Sequence, residues 1–106
     1  MQATDRSEDR ARRRSARETV AAYHQEQLTL LLDHVRDGFA QMDAGELDAF
    51  DVDELIHRYQ RASRELWRFC GSSGAAWETA ARALEYLSDE DELPDWWATS
   101  EPRRPR

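Results

Sequence analysis

The sequence predicts an all-α fold, a three-helix bundle built on an antiparallel helical hairpin, with disordered basic termini. Three observations predict it. Two long stretches carry apolar residues at alternating spacings of three and four, the signature of one buried helix face in each. A polar connection of about seven residues joins them, the length that makes neighbouring helices antiparallel. "CGSSG" then breaks the chain ahead of a third periodic stretch.

The first helix is expected from about Ser15 to Asp43, with a seam of Leu28, Leu32, Val35, Phe39 and Met42 and with Gly45 as its terminator. The second is expected to begin near Asp51 or Asp53, either of which can cap the free amides of the first turn. Its stripe is Val52, Leu55, Tyr59, Ala62, Leu66 and Phe69, and Ile56, Trp67 and Cys70 form an extra apolar flank, so this helix should touch both neighbours. Gly71 ends it. The third helix should run from about Ser73 to Ser88 through Trp77, Ala80, Ala81, Leu84 and Leu87.

One domain with one modest core suits a chain of 106 residues. Residues 15–97 are assigned to the bundle, residues 1–14 to a disordered arginine-rich arm and residues 98–106 to a disordered, proline-punctuated tail. The mean hydropathy is −0.92, and no apolar run approaches the roughly 20 residues of a membrane span, so a water-soluble, membrane-free protein is expected. The first residues lack the apolar core of a secretory signal. A single cysteine, Cys70, fits a reducing compartment, and the cytoplasm is the expected location.

Charge is uneven. All 15 basic residues are arginine. Residues 1–17 hold six arginines against three acids, whereas residues 18–97 hold six against 18, a net of −12. An acidic body with basic ends repels along its middle the phosphates its ends attract, which leaves weak, non-specific nucleic-acid contact through the N-terminal arm.

Several motifs offer chemistry and then withhold it. Glu54 and His57 have the Glu-x-x-His spacing of di-iron helices, but on the helical wheel they point away from Leu55, Tyr59 and Ala62, where ligands would have to point inward. "DAGELDAFDVDE" has the length of a calcium loop, yet Gly45 and Leu47 stand where side-chain oxygens are needed and Asp48 where glycine is needed. His24 lies on the inner stripe of the first helix and is expected as a hydrogen-bonded core histidine. Ser72 and Ser73 have no accompanying base motif, and Cys70 should be packed. The third helix, "GAAWETAARALEYL", sets Arg82 against Glu78 and Glu85, the wrong balance for a DNA groove. No catalytic residue, metal or cofactor is expected, and the chain is read as a non-enzyme.

Three surfaces remain for a partner. Arg61, Arg64 and Arg68, with His57, fall within about 60° of one another opposite the apolar stripe, and form either a solvated face or a docking strip for an anionic partner. Tyr23, Gln27, Leu30, His34 and Gln41 make a second stripe on the first helix, free to face the third helix or a second copy in a homodimer. Trp96 and Trp97 in "LPDWW" either clamp the core or anchor a partner.

"MDAGELDAFDVDELIHRYQRASRELWRFCGSSG" followed by "PDWW" resembles a group of small helical proteins of high-GC actinobacteria, over roughly residues 20 to 97. The resemblance implies one compact unit that includes the tryptophans, and an intracellular bacterial setting. It carries no functional residue across. The expected function is therefore protein–protein interaction, regulatory or antitoxin-like; the alternative is a nucleic-acid-associated accessory protein that uses its basic N-terminal arm.

Overall fold

The computed structural model describes residues 2–71 and 73–101, with side chains described from Arg6 onward. Met1, Ser72 and residues 102–106, which take in parts of both expected basic ends and one serine of the glycine-serine break, lie outside the described residues. The described chain is all-α. It forms α1 (Gln2–Asp43), α2 (Ala49–Cys70), α3 (Gly74–Asp89) and the single-turn α4 (Trp96–Thr99), with no strand among the described residues.

Helix α1 begins at Gln2 rather than near Ser15. The added segment contains no glycine or proline, alanine and arginine are strong helix formers, and Arg12 pairs with Asp9 one turn away. Buried contacts begin just beyond this segment, at Ala16 and Val20. Gly45 ends α1 as expected: at φ +80 its N–H donates to Met42 O at 3.0 Å, while the Glu46 N–H donates to Gln41 O at 2.8 Å.

The cap of α2 differs from expectation. Asp48, not Asp51 or Asp53, precedes the helix, and its Oδ1 accepts from the Asp51 N–H at 2.8 Å. The Asp51 carboxylate reciprocates, accepting from the Asp48 N–H at 3.0 Å, so two otherwise unsatisfied donors are served by one pair of aspartates. Gly71, at φ +73, stops α2 by donating to Trp67 O at 3.1 Å. Helix α3 ends at Asp89, and the turn after it passes through Asp91, a non-glycine residue at φ 55, beyond which the Glu92 N–H returns to Leu87 O at 2.8 Å.

The residues group into two compact units. The first comprises the described residues up to Gln25 together with Trp67–Leu93, and buries Ala16, Val20, Cys70, Ala80 and Leu84. The second comprises Glu26–Leu66 and the described residues from Pro94, and buries Leu31, Val52, Ala62 and Leu66, the last fully. Both α1 and α2 are divided between the two.

In the second unit the buried face of α1 departs from the expected seam. Leu31 is 2% exposed, whereas Leu32 and Phe39 are 45% and 44% exposed. The contact line is turned by roughly 50° toward Leu31 and Gly38. Gly38 supplies the reason: a Cβ placed there would lie 2.5 Å from Leu55 Cδ1, so α1 meets α2 across the one residue that lets a neighbouring side chain reach its backbone. The expected flank of α2 is also split, with Cys70 buried and Trp67 56% exposed. Among the described residues no helix is long and apolar enough to cross a membrane.

Candidate functional site

The most organised polar cluster of the second unit is built around Trp97. Proline at 94 follows α3, and the Asp95 side chain caps α4 by accepting from the Ala98 N–H at 3.1 Å. The turn closes on Ser100, whose hydroxyl donates to Trp97 O at 2.7 Å. The composition places residues 98–100 at the start of a disordered tail; Ala98 and Thr99 instead belong to α4, and Ser100 is buried at 8% exposure.

Arg58 holds this turn. Its guanidinium donates to Trp97 O from Nη2 at 2.7 Å and from Nε at 3.1 Å, and lies 4.3 Å from the centroid of the indole ring. The same Nε reaches Ser100 Oγ at 3.3 Å, and Arg61 Nε donates to Ser100 O at 3.4 Å. His34, from α1, stacks on the indole with ring centroids 4.2 Å apart and planes 2° from parallel. Two segments distant in sequence, on α1 and α2, thus fix one aromatic residue through its backbone carbonyl, through cation–π attraction and through stacking.

Beside the ring lies a recess of about 450 Å³ lined in part by Leu30, His34 and Trp97 and by three carboxylates, Asp33, Asp37 and Asp95. Asp33 is paired with Arg36 Nη1 at 3.1 Å, an exposed pair. The recess therefore sets an aromatic side chain, its ring already engaged by His34 and Arg58, beside an anionic rim, suited to a cation that can hydrogen-bond to the carboxylates. Among the described residues no three or more His, Cys, Asp or Glu side chains converge as metal ligands would.

The expected surfaces are redistributed. Of the arginine row, Arg64 and Arg68 are exposed, while Arg61 is half-buried and engaged with Ser100, so it does not simply face solvent. His57 is exposed and lies 3.5 Å from Asp53, and Glu54 is exposed as well. Leu30, 50% exposed, lines the recess with Gln27 and His34. Tyr23, from the same expected stripe, lies in the first unit with its ring 5.9 Å from that of Phe69. Trp96 and Trp97 are both half-buried.

Nothing in the sequence distinguishes Arg58 or the three aspartates from their charged neighbours. The available signal was the second α1 stripe, whose Gln27, Leu30 and His34 do line one concavity; nothing in the periodicity pairs it with "LPDWW".

In the first unit, His24 departs from the expected hydrogen-bonded core histidine. Its ring meets Trp67 edge-on at 4.1 Å and 80°, and its buried Nε2 has no hydrogen-bond partner. Burial lowers its pKa from the ordinary 6.5. Cys70 is packed as expected, 1% exposed, and burial pushes its thiol up to about 11. No family model matches this chain, and neither a curated protein nor a solved structure matches it.

Proposed function

We propose that this protein is a non-enzymatic interaction module, regulatory or antitoxin-like, that captures an arginine-bearing segment of a basic protein partner in the recess beside Trp97. The observation that carries the reading is the conjunction of Asp33, Asp37 and Asp95 with an indole already held by Arg58 and stacked on His34. An aromatic anchor ordered before binding lowers the entropy cost of association, and tryptophan is a favoured interface hot spot. The −12 charge of residues 18–97 would steer a basic partner toward this body. A cytoplasmic setting belongs to the same proposal, with the lone, buried Cys70 in its favour. So does the three-helix bundle on an antiparallel hairpin, for which the approach of Leu55 to Gly38 speaks within the second unit.

Titration calorimetry with a capped oligoarginine peptide tests it. Binding should weaken at least about tenfold in Trp97→Ala and in Asp33→Asn/Asp37→Asn, and should fall as salt rises. Equal affinity of the wild type and both variants would reject the recess as the binding site.

A second reading is favoured by the helical course of residues 2–17. Arg6, Arg10, Arg12, Arg13, Arg14 and Arg17 are all exposed on α1, a basic helical segment able to contact nucleic-acid phosphates. Salt-sensitive retention on DNA that disappears when residues 1–17 are removed would favour this accessory role.

A further inference from the structure

The first unit contains a larger groove, about 970 Å³, between the N-terminal half of α1 and α3. Ala16, Ala81 and Leu84 line it with Tyr23 and Leu93, and Leu93 is 47% exposed. Ser15, Thr19 and Ser88 keep the remaining walls low, so a helix can approach closely.

We propose that this groove is the docking surface for a second copy of the chain, forming a two-fold dimer. The argument for that occupant is charge. The charged lining consists of Arg12 and Arg82 with Glu78 and Glu85, two cations and two anions. A two-fold interface must be complementary to itself, because each copy presents the same patch to the other. Equal numbers of opposite charges meet that requirement, with the arginines of each copy set against the glutamates of the other. A strongly acidic or strongly basic partner gains no net attraction here.

The rest of the molecule sharpens the point. Each chain carries −7, so two copies repel except where their facing surfaces balance. The recess beside Trp97, with three aspartates, would set like charge against like. The α1–α3 groove has a balanced lining together with exposed apolar area, and it shares no residue with that recess.

Sedimentation equilibrium of the full chain from micromolar to millimolar concentration is the test. The wild type should show a monomer–dimer equilibrium. Arg82→Glu and Glu78→Arg/Glu85→Arg should each raise the dimer dissociation constant at least about tenfold while keeping helical circular dichroism. Mixed in equal amounts, the two variants should recover a heterodimer, since one lining is then predominantly anionic and the other wholly cationic. If either variant fails to fold, hydrogen exchange of the wild type across the dimer transition decides, with protection gained over residues 78–88. A wild type that stays monomeric, variants that dimerise undiminished, or protection confined to other residues would overturn the proposal.

Discussion

Arg58 holds Trp97 twice, donating to its carbonyl oxygen at 2.7 and 3.1 Å and placing its guanidinium 4.3 Å from the centre of its ring. Bonding from two nitrogens to one carbonyl requires the guanidinium fork, and stacking over the ring requires its flat face. Neither the position of Arg58 among the helix's other arginines nor its spacing distinguishes it; what does is the turn that Asp95 and Ser100 bring to it.

Arg58→Ala is expected to cost about 2 kcal/mol, because it removes charge-assisted hydrogen bonds and a cation–π attraction in one step. Arg58→Lys should recover less than half of that, because an ammonium lacks the fork. Arg64→Gln, at an exposed position of the same helix, should change stability by no more than about 0.5 kcal/mol. Urea midpoints compare the three; equal effects of Arg58→Ala and Arg64→Gln would contradict the assigned role.

The two helix-terminating glycines should respond differently to alanine. Gly45 stands at φ +80 with nothing within 4 Å of an added Cβ, so Gly45→Ala costs only the left-handed backbone, about 1 kcal/mol. At Gly71, φ +73, the added Cβ would lie 2.6 Å from Ala76 Cβ and 3.3 Å from its carbonyl carbon, and overpacking adds a further 1–3 kcal/mol or so. Thermal unfolding of the two variants should rank Gly71→Ala clearly below Gly45→Ala.

His24 makes stability pH-dependent. Burial depresses its folded pKa, whereas the unfolded chain takes up the proton near 6.5. Below that value the unfolded state binds more protons, so the contribution of neutral His24 is fully present above about pH 7 and is lost as pH falls through 6.5 toward the lower folded value. His24→Leu should flatten the stability profile where pH falls below about 7. An unchanged slope in the variant would assign the acid sensitivity to other groups.

Cys70 should resist thiol reagents in the native state. It is 1% exposed, and its thiol is raised to about 11, so the thiolate that reacts is scarce and shielded. Labelling with a disulfide reagent at pH 8 should therefore follow opening of the first unit and accelerate steeply at low urea. Rapid, urea-independent labelling would place the thiol at the surface.

Much of the fold was legible locally. The helical periodicity of α2 and α3, the stop at Gly45 and the stop at Gly71 are decided within a few residues, by side-chain spacing and by the need for a left-handed backbone. The register of burial on α1 was less legible, because a stripe of Leu28, Leu32, Val35, Phe39 and Met42 describes an apolar face without saying which part of it a neighbour will touch. Gly38 turned that face toward Leu55 by admitting a side chain where any other residue would present a Cβ. The sequence does not single out Asp48 as the α2 cap for a related reason: Asp48, Asp51 and Asp53 all carry suitable oxygens, and only the path of the backbone decides which carboxylate meets which amide.

The sequence by itself determined the class of fold, the charge of the body and its basic N-terminal run, and the stops at Gly45 and Gly71, since each depends on composition or on contacts within one or two turns. The tertiary structure alone decided that His34, Arg58 and Trp97 form one cluster, that Arg61 is engaged with Ser100 while Arg64 stays exposed, and that half-buried His24 keeps a buried, unsatisfied ring nitrogen. These relationships join residues tens of positions apart, and their energies depend on distances and orientations that exist only after the helices have packed.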